Sequence, residues 1–431
     1  MSDSVIDGKT AGPIWKSPEM AARRKKRHAA DRRLQLYGIA AITFAIGFLV
    51  VLISSLIYTG ASAFIQTKVQ ISVNLADADI PADDIGGANW RSIVRTSMIE
   101  LLPGELPRSE QREYFAMFTS NAPYLVRDYV VDHPDLRNKE FAFKLPFADP
   151  VDQFAKGQIS RDLPEDRRRI SNQQIEWYDA LKAEGVVSQP LNTALIFNSD
   201  SRFPELAGLA GAISGSFWAL LVCFLISFPL GISAAIYLEE FAPKNRLTDV
   251  IEININNLAA VPSVVFGLLG LAVFLGWFGL PRSAPLVGGM VLSLMTLPTI
   301  IIVTRAALRS VPSSIQEAAL GIGASKHESI VHHMLPLSMP TIMTGTIIGL
   351  AQALGETAPL LLIGMNAFIT SPPEGILSAS TALPTQIYIW ADSPERGFVS
   401  RTSAAILVLL AFLILMNGLA VFLRSRFERR W

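Results

Sequence analysis

Six stretches of roughly twenty mostly apolar residues, near 37–58, 208–237, 257–280, 285–303, 341–365 and 402–423, constrain this 431-residue chain more than any other feature. A helix needs about 20 such residues to cross the hydrocarbon core of a bilayer. Backbone polar groups find no water there, so each stretch must satisfy its own hydrogen bonds as a helix. A mean hydropathy of +0.37, with 50% hydrophobic and only 17% charged residues, agrees and excludes both a disordered chain and an ordinary soluble enzyme. The expected fold class is an all-α polytopic membrane protein with six transmembrane helices. Its single cysteine, Cys223, allows no intrachain disulfide and no cysteine zinc site.

Formal net charge is zero, so no global basic field points to nucleic acid. The distribution is uneven: residues 1–36 carry net +5, and residues 65–206 net −6. A basic lead (Arg23, Arg24, Lys25, Lys26, Arg27, Arg32, Arg33) precedes the first apolar run. By the positive-inside rule it places the N-terminus in the cytoplasm. Six spans return the C-terminus to that side, where Arg424, Arg426, Arg429 and Arg430 follow the last run. The first run is longer than the roughly 7–15 residues of a signal peptide core, and it reads as an uncleaved anchor despite Ala61-Ser62-Ala63. The acidic segment 65–206 is then external, on the periplasmic side of a bacterial-type inner membrane. The basic lead itself asks for nothing more than anionic lipid.

Segment 65–206 reads as an α+β insert. Lys68-Val69-Gln70-Ile71-Ser72-Val73-Asn74 alternates as a strand does. Residues 92–102, 111–129 and 165–183 have amphipathic helical spacing, and Gly86-Gly87, Pro103-Gly104 and Pro146 are breaks. Asp128, Asp132, His133 and Asp135 read as a solvated helix face and turn rather than a metal site. Gly211-x-x-x-Gly215 and Gly345-x-x-x-Gly349 are faces on which helix backbones approach closely.

The loop between the fourth and fifth runs, 310–340, is the most informative. Pro312-Ser313-Ser314 opens a helix, and Glu317, three residues after Ser314, makes a capping box. Ala318, Ala319 and Leu320 extend it, Gly321 and Gly323 break it, and residues 326–334 form a second short helix closed by Leu335-Pro336. Such a stiff pair suits mechanical contact with another protein better than catalysis. Its histidines, His327, His332 and His333, do not stack on one helical face, since stacked neighbours are three or four apart.

Glu317-Ala318-Ala319-x-x-x-Gly323 followed by Leu335-Pro336 resembles the "EAA" loop of ABC importer permeases. One departure is His333, where that family usually has an aliphatic residue. Two further blocks narrow the resemblance: Ala351-Gln352-Ala353-Leu354-Gly355-Glu356-Thr357-Ala358-Pro359-Leu360, and Leu383-Pro384-Thr385-Gln386-Ile387-Tyr388 with Trp390-Ala391. Both are similar to the phosphate-specific permeases, in particular their A-type membrane subunit, as is residues 257–268. Over about 205–425 the chain resembles that subunit, and the insert resembles its extended form. The resemblance implies a non-catalytic subunit that forms a phosphate path with a second homologous permease. It also implies a loop docked on a dimeric cytoplasmic ATPase, a periplasmic phosphate-binding protein, and ATP with Mg²⁺ held by the ATPase rather than by this chain. No G-x-x-x-x-G-K-[ST] occurs in this sequence. The expected divisions are 1–36 (basic tail), 37–64 (first helix and exit), 65–206 (insert), 207–425 (permease domain) and 426–431 (cytoplasmic tail).

Glu356 is the acidic residue expected deep within a span, and an ionisable group there is a functional candidate by default. With Gln352, Thr357 and Arg305 it makes a candidate translocation path, Arg305 being one possible partner for its charge. A purely structural, subunit-holding role stands equally open. Many relatives have an arginine one turn before this glutamate, where this chain has Gln352. Another oxyanion (sulfate, molybdate, phosphonate) is the alternative substrate. A membrane-anchored sensor is the alternative class, disfavoured because only about eight residues follow the last run, too few for a signalling core.

Overall fold

A computed structural model describes residues 18–76, 80, 85–102 and 106–427. The Pro103-Gly104 break, residues 1–17 of the basic tail, and Arg429 and Arg430 lie outside the described residues. Residues up to Tyr58 form one unit, and those from Thr59 on form another. The first unit is essentially one helix, α1 (Pro18–Gly60), of 43 residues. At 1.5 Å per residue it is about 65 Å long, roughly twice the hydrocarbon thickness. The basic run expected to be a tail before the first span is therefore its opening turns.

In the second unit, β1 (Lys68–Asn74) forms as the alternation predicts: Val69, Ile71 and Val73 are fully buried, while Gln70, Ser72 and Asn74 are exposed. The helices α2 (Trp90–Ile99), α3 (Arg108–Phe115) and α4 (Ala122–Asp132) follow, then β2 (Glu140–Pro146), α5 (Asp149–Ala155), α6 (Asn172–Ala183) and β3 (Val187–Ser188). The sheet is antiparallel, ordered β2-β1-β3, with Lys68 opposite Pro146 and Asn74 opposite Glu140. Pro146 ends an edge strand, where a missing N–H costs little. The expected helix over 111–129 is two helices. Thr119 N–H donates to Pro146 C=O at 3.3 Å and Phe118 bridges Phe147, so pairing with the sheet wins over local helical propensity. Likewise 165–183 starts its helix only at Asn172, where Ser171 and Gln174 cap each other reciprocally. Tyr114, buried against Trp177 and Phe118, donates its hydroxyl to Met98 C=O at 2.9 Å and anchors this core.

After the short α7 (Ala194–Phe197) comes the first long span of this unit, α8 (Ala210–Ile236), continued by a wider π-type turn at Tyr237–Phe241. The third apolar stretch is not one span. It divides into α9 (Arg246–Ala259) and α10 (Ser263–Leu269), the latter prolonged through Trp277, and the two parts meet at 105°. Pro262, which lacks an N–H, sits at the bend. The helix before it carries Asp249, Glu252 and Asn254, too polar for hydrocarbon. Span four is α11 (Pro285–Arg309), six residues longer than expected. Then come α12 (Ser313–Gly321), α13 (Lys326–Ser329), α14 (Leu335–Gly355), α15 (Ala358–Leu362), α16 (Leu383–Ala391) and α17 (Gly397–Phe427).

Residues Lys326–Gly355 form one 30-residue helix. Leu335-Pro336 therefore does not close a separate helix as expected. A π-type widening at Ile330–Met334 lies immediately before Pro336, where the ladder must accommodate a residue with no N–H. The span also ends earlier than residue 365, at Gly355, and α15 starts anew. One glycine from each small-residue face takes a close approach, Gly215 to a loop and Gly345 to α11: a Cβ on Gly215 would stand 2.0 Å from Thr381 C=O, and one on Gly345 2.3 Å from Val303 Cγ1.

The spans and the sheet meet at a buried polar junction. Asp152 accepts from Thr67 N–H at 2.8 Å and pairs with Lys156 at 2.5 Å. Gln153 donates to Asp149 at 2.7 Å, Arg401 donates to Ala207 C=O at 2.6 Å, and Trp390 donates to Asp200 at 2.9 Å. Burial pushes the Asp149 and Glu205 carboxyls above the usual carboxylate range, the Gln153 hydrogen bond offsetting part of it for Asp149.

Folded Asp149 and Glu205 thus hold protons more tightly than the unfolded chain does, and their contribution to stability is lost as pH rises from about 4 through the raised values. Asp149→Asn/Glu205→Gln removes this component, so the melting temperature rises more steeply with pH above about 4 in the variant than in the wild type; equal slopes would count against it. Within the insert core, Ile71→Ala costs about 2–5 kcal/mol, measured by denaturant unfolding.

Candidate functional site

The loop helix α12 is seated on the ends of the spans. Ala319 is buried beneath it, and Leu308, Ile330 and Met334 form a small core with Ile236 and Val311. The Ser314–Glu317 capping box does not form. Pro312 already occupies the N-cap position, so Ser313 and Ser314 are inside the first turn. The box forms eleven residues later, at the start of α13: Ser325 N–H and Oγ–H both donate to Glu328 at 2.8 Å, and Glu328 N–H donates to Ser325 Oγ at 3.2 Å. Between the two helices Gly323 has φ +95°, a conformation in which a β-carbon is strained.

Sequence reasoning missed the charges that hold this loop. Glu239, in the turn ending α8, accepts from Arg305 Nε at 3.1 Å and from Arg309 Nε at 2.7 Å. Arg305 also donates from Nη2 to Glu252 of α9 at 2.6 Å. Glu240 accepts from Gln316 of α12 at 3.0 Å and lies 3.8 Å from Lys326 Nζ, which also donates to the Glu240 carbonyl. Four elements are thereby tied through two adjacent glutamates. The available signal was Glu239-Glu240 at the end of an apolar run, together with Arg305 and Arg309 spaced i,i+4 at the end of another.

Of the expected loop residues, Glu317, Ala318 and Gly323 are exposed, Ala319 is buried and Leu335 is half-buried beside an exposed Pro336. Ile322, 85% exposed, and Leu320, 45% exposed, stand beside Glu317. An apolar tip ringed by charge on a clamped scaffold is the composition of a protein contact.

Glu356 lies in the break between α14 and α15, its backbone extended at φ −76°, ψ 121°. Glu356 and Thr357 are half-buried and Gln352 is exposed. The expected pairing of Glu356 with Arg305 is not made: the guanidinium is committed to Glu239 and Glu252. Among the described residues the Glu356 carboxylate has no hydrogen bond or ion pair. Pro359 packs under α10, where a Cβ on Gly267 would come 2.7 Å from its Cα.

Apolar helices, a broken span with an uncompensated carboxylate, and a clamped loop at the membrane face define a polytopic membrane subunit that acts through a partner. Residues 227–430 match the model of the family "Binding-protein-dependent transport system inner membrane component", and residues 21–165 match a domain of unknown function (DUF3333). The chain is 30% identical over 240 residues to the "Probable ABC transporter permease protein YqgI" of Bacillus subtilis, covering 52% of this chain and 80% of that one. It is 33% identical over 220 residues to the "Phosphate transport system permease protein PstA" of Yersinia pestis, covering 49% and 71%. An inward-facing methionine ABC transporter, MetNI, is a remote likeness at 17% identity and TM-score 0.39, covering 51% of this chain and 94% of that one. The chain belongs to the inner-membrane permease components of binding-protein-dependent ABC transport systems: a multi-pass transport subunit that works within a transporter complex.

Arg305→Gln lowers stability by about 1–3 kcal/mol, read as a drop in melting temperature. The Arg305→Gln/Glu239→Gln pair costs less than the sum of the two single changes; strict additivity would show the pair to be uncoupled.

Proposed function

We propose that the chain is a membrane subunit of an ATP-driven importer of inorganic phosphate, forming the path with a second homologous permease. The observation that carries the reading is the clamped, solvent-facing α12–α13 turn, with Glu317, Ala318 and Gly323 presented, and Ala319 seated beneath them, on a scaffold tied to α8, α9 and α11. Phosphate as the substrate is supported by kinship with the Yersinia permease and with the "Phosphate transport system permease protein PstA 1" of Mycobacterium tuberculosis, 30% identical over 224 residues.

In this reading the loop side is cytoplasmic, both termini lie there, and residues 65–206 form a periplasmic domain facing a phosphate-binding protein. The loop sits in a partner ATPase that holds ATP and Mg²⁺. Closure of the ATPase dimer pulls the loops together and favours the outward-open arrangement, and hydrolysis restores the inward one. Because Arg305 and Lys326 bind Glu239 and Glu240, movement of α12 is delivered to α8, α9 and α11 rather than lost in a flexible linker. The Glu356–Thr357 break, with Gln352 one turn earlier, lines the path; its cation comes from the second permease or from solvent. The chain has no catalytic role.

Labelled phosphate uptake tests this in phosphate-starved cells lacking the chain. Uptake is lost in the deletion and restored by wild type. It is not restored by Gly323→Asp inserted at normal levels, because its backbone cannot hold φ +95° without strain. Normal high-affinity uptake in the deletion would overturn the substrate, and sulfate and molybdate would be measured next. Full rescue by Gly323→Asp would overturn the coupling role of the loop.

A further inference from the structure

On the side of the spans that carries the sheet, a cavity of about 390 Å³ opens between residues 158–169 and the first turn of α17. Arg167, Arg168, Arg169 and Arg396 line it, and among the described residues no carboxylate does. Arg169 alone is ion-paired, to Glu395 at 2.9 Å, with both side chains about half exposed. Arg168 donates only to neutral acceptors, the Arg161 carbonyl at 3.2 Å and the Asn172 side chain, and its buried Nε has no partner. The Arg167 and Arg396 side chains have no hydrogen-bonded or ionic partner among the described residues. Arg169 has Glu395 and, at longer range, Asp149 as countercharges; the guanidiniums of Arg167, Arg168 and Arg396, with no carboxylate paired to them among the described residues, repel one another, and a bound anion or solvent relieves that.

We propose that this cavity is a binding site for a phosphate-class oxyanion. Guanidinium forks match carboxylate and phosphate alike, but a tetrahedral group offers enough oxygens to engage several forks at once. Ser400 places the first turn of the 31-residue α17 at the cavity wall, while the start of that helix already faces the Asp149 carboxylate, which packs against Gly397. That turn begins a membrane-spanning helix, so the cavity stands where the bilayer meets water. A soluble phosphate and the headgroup of an anionic phospholipid present the same chemistry there, and Ile159, Leu163 and Val399 in the wall suit the glycerol end of a lipid. The site is separate from the Glu356 break and does not depend on which anion is transported.

The test uses the assembled transporter in nanodiscs of phosphatidylcholine, with or without phosphatidylglycerol, titrated with inorganic phosphate and followed by melting temperature and calorimetry. The Arg167→Gln/Arg396→Gln variant is compared with wild type and with Arg112→Gln, an exposed arginine outside the cavity. Without ligand all three melt alike, because the changed side chains are exposed. Stabilisation by phosphate in pure phosphatidylcholine, weakened about tenfold or more in the double variant only, assigns the site to soluble phosphate. Stabilisation by phosphatidylglycerol, with co-purification of that lipid lost in the double variant, assigns it to a headgroup. If the double variant responds to both ligands as wild type does, the proposal fails; a phosphate response unchanged by the double variant belongs to the translocation path instead. Uptake that proves specific for sulfate would overturn the transport reading and leave these outcomes unaltered.

Discussion

Lipid hydrocarbon offers no partner for a backbone N–H or C=O, so a spanning chain interrupts its helices only where protein or a water-filled space takes over the freed groups. The breaks in this chain obey that constraint. Pro262 bends the third apolar stretch where a polar helix has to leave the bilayer. The Glu356–Thr357 interruption is backed by Pro359 against α10. A widened turn before Pro336 keeps the long fifth helix continuous. The irregularities are the Pro262 bend, the widened turn before Pro336 at the loop face and the break between α14 and α15.

The loop face is rigid for an electrostatic reason. Glu239 and Glu240 are largely withdrawn from solvent, with side chains 16% and 12% exposed, and each engages groups from other elements. Ion pairs of this kind contribute modestly to stability, yet a partly buried carboxylate with two donors fixes geometry in a way that a screened surface pair does not. The loop helix is thereby held to neighbouring elements while its apolar tip, Leu320 and Ile322, stays exposed.

At the opposite end the sheet-bearing insert has its own hydrophobic core, built on Val69, Ile71, Tyr114 and Trp177. It joins the spans through polar groups, among them Asp149, Asp152, Lys156 and Arg401, and through an apolar cluster in which Leu195 packs with Leu383, Trp390 and Phe398. A junction of buried charges is specific in geometry and costly to disturb by halves. It therefore couples the insert to the start of α17, the same turn that borders the arginine-lined cavity.

The sequence alone determined features set by local chemistry. Hydropathy located the spans; strict alternation fixed the residues of β1; the motif around Glu317 and Gly323 located the loop and its turn. What it misplaced depended on partners far away in the chain. Thr119 and Phe118 break a helix because β2 lies beside them. Glu239 became part of the site because Arg305 and Arg309, some seventy residues on, reach it. Arg305 is unavailable to Glu356 for the same reason. The arginines at 167–169 and 396 read separately as surface charge, and folding brings them to one cavity. Periodicity and hydropathy are properties of neighbours along the chain, whereas ion-pair choice and cavity lining are decided by which elements pack together, and only the tertiary structure supplies that.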